Sequence, residues 1–197
     1  LDKLYARCEN YGDCILSLIL EARQKVELAK VPAFVETIKD MYEEDNSVVC
    51  FVNFTNTIHA IAKALNHEKE FRGKLGFIYG EQTDLQRQRD IGDFQADRKR
   101  ILLANQAAGG VAIDLHDLNG VYPRSSILSP TYSAIQLLQA LGRIHRMEAK
   151  SPAYQVLLFA SGTIEEKACH KVSGKLDNLS ILNDGDLSAG LNLHFRS

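Results

Sequence analysis

Short apolar runs that alternate with helix-like segments restrict the fold of this chain more than any other feature. The run Val48–Val52 is continuous and rich in β-branched residues, which is typical of a strand buried inside a parallel sheet. A polar turn with N-capping residue types, 53–56, and a helical pattern follow it. The same order recurs, with strands predicted at 76–79, 100–104, 126–129 and 155–159 and helices at 85–94, 132–141 and from 163 onward. This alternation predicts an α/β fold, a parallel sheet with helices on both faces, whose ligands bind at the carboxyl ends of the strands.

The first 45 residues are predicted to form a helical extension that leads into the sheet domain. Apolar residues recur at helical spacing around Pro32, which favours a helix from Val31 to about Glu44. An earlier apolar block, Ile15 to Leu20, exceeds what one helix face needs, so it could pack in the core or on a missing neighbour. We therefore expect three parts: a helical extension or lead-in at 1–45, a domain at 46–182, and a polar tail at 183–197 without an assigned role.

The composition is that of an ordinary globular protein and excludes several classes of function. The chain has 197 residues, enough for one α/β domain with a helical extension. Its net charge of −2 gives no overall attraction to nucleic acid, so any such contact must come from a local patch. The four cysteines lack zinc-site spacing, so we predict no metal site and a reducing, intracellular setting: nucleus, cytoplasm or viral factory. No apolar run reaches the ~18 residues needed to span a membrane, and the missing initial Met indicates a fragment of a longer protein.

Two stretches carry chemistry. The first is the octamer 139–146, which has the pattern Q-x-x-G-R-x-x-R. Arg143 and Arg146 are three residues apart, so they lie on one face of a helix or its end and could bind one phosphate together. A solvated pair of surface arginines is the alternative. The second stretch, 103–115, follows a predicted strand and contains the pair Gly109-Gly110.

Together the two stretches resemble motifs V and VI of superfamily two helicases and translocases, most closely those of the Swi/Snf branch. Other segments are similar to the same lobe: 48–55 to motif IV, Gly80 with Arg87 and Phe94 to a G-x6-R-x6-F element, and 161–167 to its G-T-I-E-E-K ending. The lead-in 27–32 is similar as well, so the resemblance covers residues 25–180. It implies a RecA-like parallel sheet and a C-terminal motor lobe. Departures within motifs V and VI indicate a divergent, viral member.

The resemblance also implies a role at a nucleotide for several residues. Arg146 would be the arginine finger, Arg143 its partner, and Gln139 would orient the pair through hydrogen bonds. Asp114 would lie near the ribose or hold the finger, although a strand-end cap is an equal alternative. Gly110 would allow close approach of the backbone to ATP, and a simple tight turn is its alternative.

Loops IV and V of the family contact nucleic-acid phosphates, which positions the motor without reading sequence. By this resemblance the nucleic-acid-binding residues are Asn53, Thr55, Asn105 and Gln106, the last two standing where the family usually has Ser/Thr-Lys. The basic run 98–100 is a solvated edge or a second DNA site, with the former favoured. Arg87 is expected to pair with an acidic residue at the base of a helix.

The chain lacks the residues that hold the phosphates and magnesium of ATP. Neither Gly73-Lys74 nor Gly174-Lys175 completes the G-x4-G-K-[ST] loop, and no D-E-x-[HD] segment occurs. We therefore expect ATP and Mg²⁺ to bind mainly to an N-terminal RecA-like lobe of the same protein, and the fragment alone to be inactive. The predicted function is the second motor lobe of an ATP-dependent DNA helicase or translocase, with no membrane partner. An RNA helicase lobe and a non-catalytic nucleic-acid- or protein-binding module are the alternatives.

Overall fold

The structure, a computed structural model, describes residues 11–107 and 113–172. It contains five strands: β1 (Ser47–Val52), β2 (Leu75–Ile78), β3 (Ile101–Asn105), β4 (Arg124–Leu128) and β5 (Tyr154–Leu157). The helices are α1 (Tyr11–Ala29), α2 (Val31–Glu43), α3 (Thr55–Asn66), α4 (Asp84–Gln95), α5 (Ala134–Ile144) and α6, which covers residues 164–172. A 3₁₀ turn, Lys69–Phe71, precedes β2.

The five strands form one parallel sheet in the order β2-β3-β1-β4-β5. Strand β1 lies at the centre, where Cys50 is in register with Leu103 on one side and Ile127 on the other. All six of its residues are buried, as a continuous apolar run predicts. Because the strands are parallel, their carboxyl ends share one edge of the sheet, and the loops that follow them are brought together there.

Helices cover both faces of the sheet, which confirms the predicted fold class. Side chains alternate across the pleat of β1, so Val48, Cys50 and Val52 pack in a core with α2 and α3. Val49 and Phe51 point to the opposite core, with α4 and α5. The G-x6-R-x6-F phenylalanine, Phe94, is fully buried in this second core.

The two N-terminal helices behave differently. Helix α2 buries Phe34, Ile38, Met41 and Tyr42 against the sheet. Helix α1 leaves its apolar block exposed, and Leu16 is 66% exposed, so the block does not join the core of the described chain. The proposed division at residue 45 stays a prediction, and residues 1–10 and the tail 183–197 lie outside the described residues.

The structure corrects three local predictions. Strand β4 begins at Arg124 and not at 126, because the two polar residues before Ser126 are also buried inside the sheet. Helix α5 begins after Ser133, whose side chain caps it, and ends at Ile144 rather than at 141. The turn 53–56 was expected to cap α3, but the N-cap residue is Phe54, which makes no side-chain cap. In the described residues, no helix has both the length and the apolar content needed to cross a membrane.

Candidate functional site

The two motif VI arginines occupy different environments at the end of α5. Arg143 is in the last turn and only 8% exposed. His145 ends the helix with an extended backbone (φ −107°, ψ 109°), so Arg146 lies beyond it with 47% of its side chain exposed. One arginine is therefore fixed in the structure, and the other is presented at the surface.

Asp114 holds the exposed arginine. Its Oδ1 accepts from Nε of Arg146 at 3.0 Å and lies 2.8 Å from Nη2. The Asp114 side chain is itself 57% exposed, so this ion pair is screened and contributes at most about 1 kcal/mol. The pair orients the guanidinium without holding it strongly.

The last residue of the motif V stretch is joined to motif VI by a backbone hydrogen bond. The Leu115 N–H donates to the Arg143 carbonyl oxygen at 2.9 Å. Burial lowers the pKa of Arg143, the nearby Arg146 lowers it further, and Asp114 opposes both effects. Because a guanidinium keeps its proton in proteins, Arg143 remains a buried positive charge behind Arg146.

The other predicted nucleotide residues are less defined. Gln139 lies exposed on α5, and within the described residues no hydrogen bond joins it to Arg143 or Arg146. Its orienting role therefore stays a prediction. Gly110 lies outside the described residues, as does its neighbour Gly109.

An open cavity of about 310 Å³ lies beside the arginine finger candidate. Its lining includes His145, Arg146 and Lys150, so basic side chains meet an open volume large enough for an anionic group. Lys150 was not identified from the sequence, because it lies beyond motif VI and no pattern distinguishes it from an ordinary surface lysine.

The nucleic-acid candidates meet at the carboxyl edge of the sheet. The Asn53 side chain donates to the Pro130 carbonyl oxygen at 2.8 Å, and the Asn53 carbonyl accepts from Nδ2 of Asn105 at 3.0 Å. Oδ1 of Asn105 also accepts from the Ala107 N–H at 2.8 Å. Three loops, those following β1, β3 and β4, are thus tied together by these two asparagines.

Gln106 and Thr55 differ in their access to solvent. Gln106 is 8% exposed and donates through Nε2 to the Ser129 carbonyl oxygen at 2.6 Å. Its buried side chain therefore links the loops that follow β3 and β4. Thr55 is the first residue of α3 and is partly exposed. Thr55 is therefore accessible to solvent at this edge, whereas Gln106 is buried.

Glu27, which sequence reasoning did not select, caps α3 from another helix. Its carboxylate accepts from the backbone N–H groups of Asn53 and Phe54 at 3.0–3.1 Å and from the Thr57 hydroxyl at 2.9 Å. Oε2 also accepts from Nδ2 of Asn53 at 2.7 Å. The only sequence signal was its place in the family-like lead-in, which does not reveal a contact across 26 residues.

Lys30, at the junction of α1 and α2, forms a second buried link to this edge. Its ammonium donates to the Leu158 carbonyl at 2.9 Å and to the Ser129 hydroxyl at 3.1 Å, and lies 2.8 Å from Oε1 of Glu165. Burial lowers the pKa of Lys30, while the Glu165 carboxylate raises it. The lead-in and the G-T-I-E-E-K ending are therefore in direct contact.

The basic run 98–100 is occupied by intramolecular contacts. Arg98 and Lys99 pair with acidic side chains of α4. Arg100 is 9% exposed, and its guanidinium lies 4.2 Å from the Tyr42 ring and 4.0 Å from the Tyr122 ring. The expectation of a solvated edge is thus wrong for Arg100, because two aromatic rings enclose it. Arg87 lies 3.9 Å from Asp84 in the first turn of α4 and donates to the Tyr79 carbonyl.

Comparison with known proteins shows the family to which this chain belongs. Residues 29–148 match the family described as the helicase conserved C-terminal domain. The match covers more than half of the chain, so the chain belongs to that family. The second-lobe assignment made from motifs V and VI is confirmed.

Among the most similar relatives is the L364 protein of Acanthamoeba polyphaga mimivirus, which is named as an ATP-dependent RNA helicase. It is 39% identical over 188 residues, which are 95% of this chain and 33% of that protein. DNA repair protein RAD5 of Yarrowia lipolytica is 27% identical over 157 residues, or 79% of this chain and 14% of that protein. The chain thus spans a third or less of the length of these two relatives.

Solved structures share the fold. The C-terminal part of the Fun30 ATPase domain aligns with a TM-score of 0.62 and 23% identity, covering 73% of this chain and 44% of that one. The C-terminal domain of the DEAD-box protein Dbp5 aligns with a TM-score of 0.56 and 16% identity, over 76% and 80% of the two chains. At these identities the likeness supports the RecA-like architecture alone.

Proposed function

We propose that this chain is the second motor lobe of an ATP-dependent helicase or translocase and that Arg146 is its arginine finger. The observation that carries the proposal is the half-exposed Arg146 guanidinium, which Asp114 holds beside a basic cavity and the buried Arg143. A pair of merely solvated arginines does not require one member to be buried and the other to be held by a carboxylate from a separate motif.

The chemistry follows from charge development. In phosphoryl transfer, negative charge spreads over the γ-phosphoryl oxygens, and a well-placed guanidinium accelerates the reaction by about 10³–10⁵. Arg146 leaves Asp114 to contact this charge, and Arg143 adds positive potential from behind. The family resemblance gives Gln139 the role of orienting the two arginines, and the approach to ATP that it implies for Gly110 concerns a residue outside the described ones.

ATP is held mainly by an N-terminal RecA-like lobe, the partner of this chain. When Mg²⁺ is bound to that lobe, it neutralises negative charge on the phosphates. In the described part of this lobe, no group of three or more His, Cys, Asp or Glu side chains could hold a metal ion.

The carboxyl edge of the sheet is the nucleic-acid track of this lobe. Thr55, Asn53 and Asn105 border it with short polar groups, and Gln106 supports the loop from the interior. Such contacts bind the phosphate backbone and position the lobe without sequence readout. These loops lie beside the ends of β1 and β3. Closure of the two lobes on ATP moves the loops and so changes their contacts with the nucleic-acid strand.

DNA is the nucleic acid that we propose. The Gly-Gly form of motif V favours the DNA-acting branch, and one relative is named as a DNA repair protein. RNA is the second candidate, because the mimivirus relative is named as an RNA helicase. A non-catalytic binding module is less consistent with the chain, since it has no use for an oriented Arg146.

The test is the ATPase activity of the full-length protein with duplex DNA, single-stranded DNA and single-stranded RNA supplied separately. We expect DNA to stimulate hydrolysis more than RNA. Stimulation by RNA alone would replace DNA with RNA as the substrate. Absence of ATPase under all conditions, with nucleic-acid binding retained, would leave the binding module as the function.

A further inference from the structure

Glu27 is a buried carboxylate whose hydrogen bonds go to a loop outside its own helix. It is 1% exposed and lies in the last turn of α1. Both of its oxygens are engaged: Oε1 by the backbone and hydroxyl donors of Phe54 and Thr57, and Oε2 by the Asn53 side chain. The Asn53 N–H donates to both oxygens.

This carboxylate replaces a local helix cap. A helix begins with unpaired N–H groups and a positive dipole end, and an Asp, Asn, Ser or Thr at the N-cap usually satisfies them. Phe54 has no side chain capable of this. From 27 residues earlier in the chain, Glu27 places a negative charge at this end and accepts from the N–H of the N-cap residue Phe54.

The same contacts have a consequence for phosphate binding. The N–H groups of Asn53 and Phe54 already donate to Glu27, so they are not free to bind a nucleic-acid phosphate. The loop therefore has to contact phosphate through other groups, such as the partly exposed Thr55 at the start of α3. The orientation of those groups is set by where Glu27 holds the backbone.

Asn53 carries this restraint to the neighbouring loops. Its carbonyl oxygen accepts from Asn105 after β3, and its side chain donates to the Pro130 carbonyl after β4. One turn before Glu27 on α1, the Arg23 guanidinium lies 5.0 Å from the ring of Tyr132, in the loop before α5. The end of α1 therefore contacts the loops after β1 and β4 directly, and it reaches the loop after β3 through Asn53.

We propose that Glu27 is a positioning residue for nucleic-acid coupling: it fixes the loop after β1, and through Asn53 the loops after β3 and β4, in the geometry that engages the phosphate backbone. This inference rests on the proposed function. The alternative is that Glu27 is only a helix cap, whose loss lowers stability without changing the response to nucleic acid.

The variant Glu27→Gln distinguishes the positioning role from a purely capping role. Glutamine keeps the size of the side chain but replaces one acceptor by an NH₂ group that faces other donors. In the full-length protein, we expect the DNA concentration for half-maximal ATPase to rise about tenfold, a factor equivalent to ~1.4 kcal/mol. We expect kcat at saturating DNA to change by less than about twofold, since the finger is untouched. Glu27→Asp keeps the charge but shortens the side chain, and should give a smaller rise.

Thr57→Val is the matched control. It removes the hydroxyl that donates to Glu27 at a fully buried site, while Asn53 and Phe54 keep their bonds. We expect a lower melting temperature with an unchanged half-maximal DNA concentration. If Glu27→Gln does not yield folded protein, the half-maximal DNA concentration of Glu27→Asp distinguishes the two roles of Glu27.

The inference is overturned if the folded Glu27 variants lose thermal stability, as Thr57→Val does, yet respond to DNA as the wild type does. That result leaves the proposed function intact. A wild-type protein that neither binds nor responds to nucleic acid overturns the proposed function and this inference together.

Discussion

Nζ of Lys30 lies 2.8 Å from Oε1 of Glu165, and both side chains are 7% exposed. The two residues are far apart in the chain, one in the lead-in and the other at the start of α6. Oε2 of Glu165 also accepts from the Ala160 N–H at 3.0 Å, so the acid fixes the chain before α6 as well. The pair therefore joins the junction of α1 and α2 to the start of α6.

Lys30→Met tests the energetic weight of this pair. Breaking a buried pair by removing one partner leaves an uncompensated charge, so we expect the free energy of unfolding to fall by about 3–5 kcal/mol. The double variant Lys30→Met/Glu165→Gln should recover part of the loss, because it removes the stranded charge. Urea denaturation measures the free energy of unfolding of both variants. A value for Lys30→Met within about 0.5 kcal/mol of wild type would contradict a stabilising role for the pair.

Arg100 and Arg98 are expected to respond differently to substitution, although they are two residues apart. Arg100→Lys loses the planar contact with Tyr42 and Tyr122 and at least one bond to the carbonyls of Tyr42 and Asn46. We expect destabilisation of about 1–3 kcal/mol. Arg98→Ala should change stability by less than about 1 kcal/mol, since its pair with Asp93 is at the surface. Equal effects in denaturation experiments would refute the enclosed position of Arg100.

Cys169 provides a pH-dependent prediction. Burial raises the pKa of its thiol to about 11, with the Glu165 carboxylate adding to the shift. The ordinary thiol pKa is about 8.5. Between these values the unfolded chain loses the proton and the folded chain keeps it, so stability is unaffected below about pH 8 and falls as pH rises from about 9 to 11.

The measurement compares urea midpoints at about pH 8 and pH 10.5 for wild type and Cys169→Ala. Wild type should lose more stability over this interval than the variant, whatever the packing cost of the substitution. An identical pH dependence in the two proteins would show that the thiol does not keep its proton.

Asp114→Asn examines the support of the finger candidate. The ion pair with Arg146 is exposed and worth at most about 1 kcal/mol, so kcat should fall by no more than about fivefold. Thermal stability should stay close to that of the wild type for the same reason. A loss of kcat as large as that of an Arg146 variant would instead indicate direct contact between Asp114 and the nucleotide.

The fold was predictable because its signals are local. The continuous apolar run of β1 and the helical spacing of α2 each identify an element without reference to the rest of the chain. The start of β4 was missed because Arg124 and Ser125 are polar yet at most 1% exposed. Arg124 is accommodated there by Asp97 at 2.8 Å and by the Phe94 ring, partners that its own sequence neighbourhood does not reveal.

The site was only partly predictable for a related reason. Motifs V and VI select residue types, and the family resemblance gave Arg146 and Asp114, which the structure brings into contact. The resemblance also placed Gln106 among the nucleic-acid-binding residues. In the structure its side chain is buried and donates to the Ser129 carbonyl oxygen instead. Glu27 was not selected at all, because its role depends on a contact between α1 and the loop before α3 that only the folded chain creates.

The most direct test of the central claim is the DNA-stimulated ATPase of the full-length protein carrying Arg146→Ala, with Arg98→Ala as a control at another exposed, paired arginine. We predict that Arg146→Ala lowers kcat by about 10²-fold or more with little change in nucleotide binding, and that Arg98→Ala matches the wild type. An Arg146→Ala protein that hydrolyses ATP at the wild-type rate would contradict the assignment of Arg146 as the arginine finger.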